Sequence, residues 1–416
     1  MKRFAGLALV SLLAGFSRAA PAGQANSPLA ADPAGGSVVD RGRYLATVAD
    51  CGPCHAGLHG EPFAGGRPIT TPFGKLRASN VTPDVATGIG GWSEGEFVRA
   101  VREGIGRRGE HLYPAMPYPY YTRMRREDVV AIRAFLLTQR AVPHAVDENE
   151  LPFPFRIRSF VALWNALYFH KGELSDSADQ SAQWNRGAYL VEGPGHCGAC
   201  HTPKNRLGGD DKSRGLAGGV LDGWFSPDLR AEARTGLGSW SAAGIVDYLR
   251  SGNNAWAAAT GPMAEVVENS TSTISDADLL AISVYLKSRS APAHEASATV
   301  AANADALMGG RTVYVDSCAP CHGADGVGVP RLFPPLKGSS VVQSANPTTL
   351  ARVVLHGTQN AATDRAPTAP SMPPFAWMLN DAEVAEVLTY IRSEWGNSAS
   401  TVSAATVRES RQRADR

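Results

Sequence analysis

The feature that most constrains this chain is the arrangement of its cysteines. All six lie in three pentapeptides of one pattern, Cys-x-x-Cys-His: Cys51-Gly52-Pro53-Cys54-His55, Cys197-Gly198-Ala199-Cys200-His201 and Cys318-Ala319-Pro320-Cys321-His322. In an exported chain, an even number of cysteines would by default predict disulfides. Cys-x-x-Cys-His is instead the attachment signature of a c-type haem, and the signature uses every cysteine of the chain.

The spacing within the pentapeptide has a mechanical reason. Cysteines at i and i+3 fall on one face of a helical turn, so both thiols can reach the two vinyl groups of one porphyrin. A zinc site would need four ligands, and a thioredoxin-like redox site would need a βαβ setting. We therefore expect three covalently bound haems c, attached at Cys51 and Cys54, at Cys197 and Cys200, and at Cys318 and Cys321, with His55, His201 and His322 bound to iron.

The three motifs stand in three repeated units. In each unit a helix leads to the motif, a middle helix ends at a glycine (Gly104, Gly252 or Gly357) and an amphipathic helix comes last. Ser275 and Asp278 predict a capping box at the start of the second unit's last helix. The predicted fold class is all-α, with three tandem class I cytochrome c-like helical domains, each around one covalent haem, at residues 38–146, 181–290 and 307–397.

The remaining segments are predicted to connect or extend these domains. Residues 147–180 and 291–306 are predicted linkers, and residues 398–416 a polar, disordered tail. The stretch from Leu151 to Lys171 is aromatic and basic. It fits either a lipid interface or a linker packed across two haem domains, and the second is the commoner role of an amphipathic stretch.

One methionine beside a proline recurs between the middle and last helix of every unit. The strings are Pro114-Ala115-Met116-Pro117, Gly261-Pro262-Met263 and Pro370-Ser371-Met372-Pro373-Pro374. A thioether opposite the motif histidine makes iron six-coordinate and raises its potential, and proline stiffens the loop that holds the sulfur. Met116, Met263 and Met372 are therefore predicted to be the sixth ligands. Core packing is the alternative for any methionine, and Met378 is the rival of Met372.

The seven other histidines share no position across the units. We expect surface or structural roles for His59, His111, His144, His170, His196, His294 and His356. His196 adjoins Cys197, but its side chain is expected to point away from the iron bound by His201.

The N-terminus has the layout of a secretory signal peptide. Met1-Lys2-Arg3 precedes an apolar run from Phe4 to Phe16 and small residues ending at Ala20-Pro21-Ala22. We expect residues 1–22 to be removed and the protein to be exported to the periplasmic face of the bacterial inner membrane. No later stretch is long and apolar enough to span a bilayer, so membrane contact is predicted to be peripheral. A formal net charge of +1 without a basic stripe predicts no nucleic-acid partner.

Further strings resemble the triheme cytochrome c subunits of membrane-bound bacterial dehydrogenases, a family that serves alcohol, gluconate, sorbitol, glucose and aldehyde dehydrogenases. In the first unit they are Gly42-Arg43-Tyr44-Leu45-Ala46, Gly65-Gly66, Thr71-Pro72-Phe73-Gly74, Asn80-Val81-Thr82-Pro83-Asp84, Thr87-Gly88-Ile89-Gly90 and Leu112-Tyr113-Pro114-Ala115-Met116-Pro117-Tyr118. The resemblance continues through Trp164-Asn165, Cys200-His201-Thr202-Pro203-Lys204-Asn205 and Gly261-Pro262-Met263-Ala264-Glu265-Val266-Val267.

The resemblance implies the axial pairs His55 with Met116, His201 with Met263, and His322 with Met372. It also implies an electron-transfer subunit that accepts electrons from a catalytic dehydrogenase subunit holding a flavin, pyrroloquinoline quinone or molybdenum, and passes them to ubiquinone or a terminal oxidase. The strings surround haem, so they do not indicate the partner's substrate. The chain has no dinucleotide-binding glycine fingerprint, so we expect no substrate-oxidising site of its own. The alternatives are a free periplasmic multihaem carrier and a haem peroxidase, which needs an open iron position.

Overall fold

Helices dominate the structure, a computed structural model that describes residues 36–291 and 304–414. The predicted signal peptide and most of the predicted linker 291–306 lie outside these residues. The strands of the described part are short and form three separate two-stranded antiparallel hairpins. The predicted all-α class is confirmed.

The elements follow the predicted order of parts within each unit. The first unit contains α1 (Val38–Val48), α2 (Cys51–Cys54), β1 (Pro68–Thr71), β2 (Gly74–Arg77), α3 (Glu94–Glu103), α4 (Tyr118–Tyr121) and α5 (Arg126–Leu136), and α6 (Ser159–Tyr168) follows it. The second contains α7 (Ala182–Glu192), α8 (Gly198–His201), β3 (Gly219–Leu221), β4 (Trp224–Ser226), α9 (Ala242–Ser251), α10 (Pro262–Asn269) and α11 (Asp276–Ser288). The third contains α12 (Ala304–Val313), α13 (Ala319–His322), α14 (Ser340–Gln343), α15 (Thr348–His356), β5 (Thr358–Gln359), β6 (Ser371–Met372) and α16 (Asp381–Ser393), and α17 (Ala404–Ala414) ends the described chain.

In every unit the first and last helices cross at a glycine. A Cβ built on Gly42 would lie 1.8 Å from the carbonyl oxygen of Ala131, and one on Gly187 would lie 2.0 Å from that of Ala281. The same construction on Gly310 of the third unit meets the carbonyl oxygen of Glu386 at 2.2 Å. Glycine is therefore required at these crossings because backbone approaches backbone.

The helix ends follow from local sequence. The middle helices α3 and α9 end at Gly104 and Gly252, which adopt the left-handed conformation with φ of 65° and 75°. The predicted capping box at Ser275 is only half formed, because the Ser275 hydroxyl accepts from the Asp278 amide while the Asp278 carboxylate turns elsewhere. That carboxylate instead accepts from Arg186 and from Tyr44 of the first unit.

The first and second units each hold, at the same place, an ion pair between an arginine and a buried aspartate. Arg186 donates to both oxygens of Asp278, at 2.8 and 2.7 Å. Arg41 donates to Asp128 through Nε at 2.7 Å, and Asp128 is fully buried. Both arginines directly precede the crossing glycine of their unit, so the two pairs are equivalent.

Each ion pair is completed by a tyrosine from the other unit. Tyr44 of the first unit donates to Asp278 of the second at 2.6 Å, and Tyr189 of the second unit donates to Asp128 of the first. Each tyrosine oxygen also accepts a hydrogen bond from a backbone amide of the other unit. The amide of Ser275 donates to the Tyr44 oxygen and that of Arg125 to the Tyr189 oxygen, both at 3.3 Å. The two units are thus related by an approximate twofold axis, and we call these reciprocal contacts the tyrosine clasp.

Helix α6, in the predicted linker, lies against both units. Trp164 donates from its indole nitrogen to the Leu207 carbonyl of the second unit at 2.9 Å. Asn165 accepts from the Tyr118 hydroxyl of the first unit at 2.6 Å. The inner side of the helix therefore packs as a linker across two units. None of the helices in the described ranges is long and apolar enough to cross a lipid bilayer.

The expected disorder of the tail is wrong for most of its length. Residues 404–414 form α17, which packs on α15 and α16. Val402 and Val407 are buried in the third unit's core, and Arg411 donates to the carbonyls of Ala376 and Leu379. The polar composition had suggested that the tail could not offset the conformational entropy lost on ordering. The two buried valines and the hydrogen bonds of Arg411 offset that loss.

Candidate haem sites

The three motifs adopt the same local structure. Each forms a single helical turn, α2, α8 or α13, which sets its two sulfurs on one side. All six cysteines lie in the described residues and carry free thiols. Burial raises the pKa of the Cys51 and Cys197 thiols to about 12, so both thiols are protonated at neutral pH.

Each motif histidine makes the same hydrogen bond, from its Nδ1 to a backbone carbonyl of a later loop. The pairs are His55 with Ser79 at 2.7 Å, His201 with Pro227 at 2.7 Å and His322 with Pro334 at 3.0 Å. A carbonyl only accepts, so the proton sits on Nδ1 and leaves the Nε2 lone pair to bind a metal. Burial lowers the pKa of all three imidazoles, which keeps them in the neutral, ligating form.

The loop that accepts from His55 is built by the strings that carried the family resemblance. Gly65 has a φ of 72°, and a Cβ on it would lie 2.5 Å from the Ser79 backbone. Asn80 is 3% exposed, accepts from the Thr82 amide and donates to the Val142 carbonyl at 2.8 Å. These residues are needed because they hold one carbonyl against the imidazole.

The three candidate methionine ligands are all partly buried. Met116 packs against the core of the first unit, Met263 lies in the first turn of α10, and Met372 pairs with Thr358 in the hairpin of β5 and β6. Met378 is 44% exposed, whereas Met372 packs against the third unit's core. Burial therefore favours Met372 over its rival.

The donor set at each motif fits a haem c: two thiols one helical turn apart and a neutral imidazole with Nε2 free. Such a group supplies one-electron exchange between ferrous and ferric iron. The protein's part is to hold the porphyrin by the cysteines and to orient the imidazole.

The candidate ligand loops of the second and third units are joined by backbone pairing. The Ala361 amide donates to the Ala259 carbonyl at 3.1 Å, and Thr260 forms a bridge with Asn360. The Asn360 amide in turn donates to the Pro370 carbonyl at 3.1 Å. One short segment thus connects the loop that carries Met263 to the loop that carries Met372.

One pair of residues near the motifs was missed by sequence reasoning. His196, for which a surface or structural role was predicted, stacks on Tyr121 of the first unit, with ring centroids 5.6 Å apart and planes inclined by 22°. The two residues are distant in sequence and belong to no shared motif. No local signal indicated the contact.

The chain is similar to several known proteins over most of its length. A family profile described as cytochrome c matches residues 307–395. The gluconate 2-dehydrogenase cytochrome c subunit of Pantoea cypripedii is 41% identical over 401 residues, covering 91% of this chain and 90% of the relative. The cytochrome c subunit of the alcohol dehydrogenase (quinone) of Gluconobacter oxydans (strain 621H) is 40% identical, covering 90% of this chain and 82% of the relative.

The fructose dehydrogenase cytochrome subunit of Gluconobacter japonicus is 36% identical, again covering 90% of this chain and 82% of the relative. These relatives share one role, that of the cytochrome subunit beside a dehydrogenase, and the predicted resemblance is confirmed. The chain is an electron-transfer cytochrome and belongs to the family of dehydrogenase cytochrome c subunits.

Proposed function

We propose that this chain carries three haems c and passes electrons from a catalytic dehydrogenase subunit, of flavin, pyrroloquinoline quinone or molybdenum type, to ubiquinone or a terminal oxidase at the periplasmic face of the inner membrane. The observation that carries the proposal is the hydrogen bond from Nδ1 to a carbonyl, repeated at His55, His201 and His322. It prepares three equivalent iron ligands in one chain. The second unit contacts both of its neighbours, which suits a relay.

The number of haems is tested by intact mass. The denatured, exported protein should weigh the processed polypeptide plus three haems. Replacing Cys318 and Cys321 together by Ala should remove one haem and leave two. Fewer than three haems on the wild-type chain, from a host with full maturation machinery, would contradict the proposed count.

The sixth ligands are proposed to be Met116, Met263 and Met372. Met372→Ala should convert one iron of three to a high-spin state and lower its potential, since the thioether favours reduced iron. Met378→Ala is the matched control and should leave the spectrum unchanged. The opposite result would transfer the assignment to Met378.

The electron-transfer role is tested in a strain that lacks this chain. The catalytic partner should still oxidise its substrate with an artificial dye, while substrate-dependent quinone reduction or oxygen uptake is lost. The purified chain should oxidise no alcohol, sugar or aldehyde alone, and its haems should be reduced when the partner and substrate are added. Unchanged respiration would favour a free carrier, and a high-spin component in the wild-type spectrum would favour a peroxidase.

Membrane contact is proposed to use the outer side of α6. Phe160, Leu163 and Leu167 recur at helical spacing and are 50%, 59% and 56% exposed. Arg156, also exposed, precedes the helix and would meet lipid phosphates, whereas Arg158 donates to the His111 carbonyl at 2.8 Å. Trp164 points inward to Leu207, so it takes no part.

Vesicles of phosphatidylglycerol and phosphatidylethanolamine provide the test. Replacing the three outer apolar residues of α6 by Ser should abolish co-flotation of the holoprotein with vesicles and leave its haem content unchanged. The control replaces Val220 and Leu221, exposed on the hairpin of β3 and β4, by Ser. Continued flotation of the triple variant would overturn the proposed lipid contact. If the variant still floats but no longer binds the dehydrogenase, the surface belongs to that partner.

A further inference from the structure

The four-residue helix α4 lies between the first two motifs. Tyr121 is 7% exposed, and its hydroxyl donates to the Ala49 carbonyl at 2.8 Å, two residues before Cys51. Cys51 packs against the same apolar cluster that contains Tyr121. The ring is therefore held at the edge of the first haem site.

The other residue of α4 that reaches across the junction is Tyr120. A Cβ built on Gly198, inside the second motif, would lie 2.8 Å from the Tyr120 ring. The Tyr120 hydroxyl donates to Asp210 of the second unit at 2.5 Å. This contact ties α4 to the motif helix α8, so that Tyr121 has little freedom to withdraw from its partner ring.

That partner ring is His196, the residue directly before Cys197. His196 has a φ of 37°, a left-handed conformation that few side chains adopt, and the structure holds it there by hydrogen bonds. Its amide donates to the Gly193 carbonyl at 3.1 Å, and its Nδ1 donates to the Gly195 carbonyl at 2.6 Å. The turn directs the imidazole onto Tyr121 with the rings nearly parallel.

The equivalent residue of the first unit makes a different contact. Asp50 directly precedes Cys51 and has a φ of 48°, so the turn is repeated across the approximate twofold axis. Asp50 lies near Arg67 and Glu265, which form a weak ion pair at 3.8 Å. Of these two equivalent crossings, one is aromatic and the other is charged.

We propose that the stacked rings of Tyr121 and His196 form the contact through which the haems at Cys51 and Cys197 exchange electrons. With haems bound at both motifs, this pair would carry a single electron from one iron to the other, with no bond formed or broken and no proton moved. Tunnelling weakens steeply with each gap that it crosses. The stack leaves a single ring-to-ring contact between residues tied to the two attachment cysteines, whereas the equivalent crossing holds the charged groups of Asp50, Arg67 and Glu265. This inference rests on the proposed function.

The test measures exchange between haems in the full-length holoprotein. In a half-reduced sample, haem methyl proton resonances report intramolecular electron exchange for each pair of haems. His196→Asn tolerates the left-handed backbone but removes the ring, whereas His196→Phe keeps a ring. We expect His196→Asn and Tyr121→Leu to slow exchange between the first two haems severalfold, and His196→Phe to retain most of it.

Exchange between the second and third haems is the internal control, and Asp50→Asn is the matched variant at the equivalent turn. Both should keep the wild-type rates. Midpoint potentials and low-spin spectra should also stay unchanged in every variant, which separates a lost path from a disturbed haem. Wild-type exchange between the first two haems in His196→Asn and in Tyr121→Leu, each with three haems bound, would overturn the inference.

A variant whose intact mass shows a missing haem is excluded from the comparison. The exchange rate of His196→Phe, which retains a ring, then tests the inference. Slow exchange in that variant, with its haems and potentials intact, would assign any effect to local packing and also overturn the inference. The proposed function fails separately, if the wild-type chain itself carries fewer haems or is not reduced by a dehydrogenase partner.

Discussion

The first and second units meet through side chains, whereas the second and third add backbone pairing to their side-chain contacts. At the first junction, each unit's buried aspartate accepts a hydrogen bond from the other unit's tyrosine. At the second junction, the Ala361 amide donates to the Ala259 carbonyl, and the Thr349 hydroxyl accepts from the Phe225 amide and donates to the Phe225 carbonyl. The first junction therefore depends on a few residue identities, and the second depends on loop shape as well.

The third unit lacks the residues of the tyrosine clasp. Counted from its crossing glycine Gly310, the position of the clasp arginine is Gly309 and that of the tyrosine is Thr312. The position of the buried aspartate is Glu383, which instead caps α16. A shared helix crossing thus preserves the fold of each unit, while three substitutions remove the contact that pairs the first two.

The largest expected effect comes from removing a buried carboxylate of the tyrosine clasp. Asp278→Ala leaves Arg186 buried and unpaired, and should lower the free energy of unfolding by about 3 to 5 kcal/mol. Glu383→Ala is the equivalent change in the third unit. It removes only a capping interaction and should cost less than about 1.5 kcal/mol. Denaturant unfolding of both variants checks the difference, and equal losses would show that the clasp has no special role.

The tyrosines of the clasp should rank next. Tyr44→Phe and Tyr189→Phe each remove a hydrogen bond to a buried carboxylate, with an expected loss of about 1.5 to 3 kcal/mol. Tyr314→Phe in the third unit removes a bond to the neutral Gly323 carbonyl and should cost about 1 kcal/mol. Thermal or denaturant unfolding gives the comparison. A Tyr314 variant that is as unstable as the others would argue against charge as the cause.

The second junction should respond locally. Thr349→Val removes the hydroxyl that bonds Phe225 and should cost about 1 to 2 kcal/mol. Hydrogen exchange should quicken at the Phe225 amide and leave α1, α5, α7 and α11 protected. Thr348→Val, on the neighbouring residue of α15, serves as the control. Faster exchange throughout the first two units would show that the two junctions are not independent.

A pH dependence is also expected at the first junction. Burial and then the charge of Glu265 raise the pKa of Asp50 from 3.8 to about 7, against the opposing effect of Arg67. The folded chain therefore holds this proton more tightly than the unfolded chain. The stability contributed by Asp50 is complete below about pH 4 and is lost as the pH rises through 7. Unfolding midpoints between pH 4 and 8 should depend less on pH in Asp50→Asn, and an unchanged slope would rule out this carboxyl.

Prediction from sequence succeeded where the cause is local. Gly104 and Gly252 end their helices as expected, because a left-handed residue is needed there whatever packs nearby. It failed where a side chain had two possible partners. Asp278 matches a capping box by spacing, yet Arg186 and Tyr44, 92 and 234 residues away, take its carboxylate. A buried charge is more strongly stabilised by an ion pair than by a cap, and spacing does not reveal that choice.

The polar tail and the aromatic segment illustrate the same limit. Composition indicated disorder after residue 398, but Val402 and Val407 find a place in the third unit's core. Composition also left open which side of the aromatic segment is buried, and the structure turns Trp164 inward and Phe160 outward. The order of the tail and the orientation of the aromatic segment both depend on the surface against which each segment packs.

The sequence by itself determined the chemistry of this protein, because haem attachment needs two thiols and an imidazole within five consecutive residues, and one helical turn is enough to align them. Tertiary structure decided how the sites are joined. The Tyr121 ring meets His196, and the loop of Met263 meets that of Met372, only after three helix pairs have packed at their crossing glycines. Such contacts join residues far apart in the chain, and their geometry is set by packing rather than by local spacing.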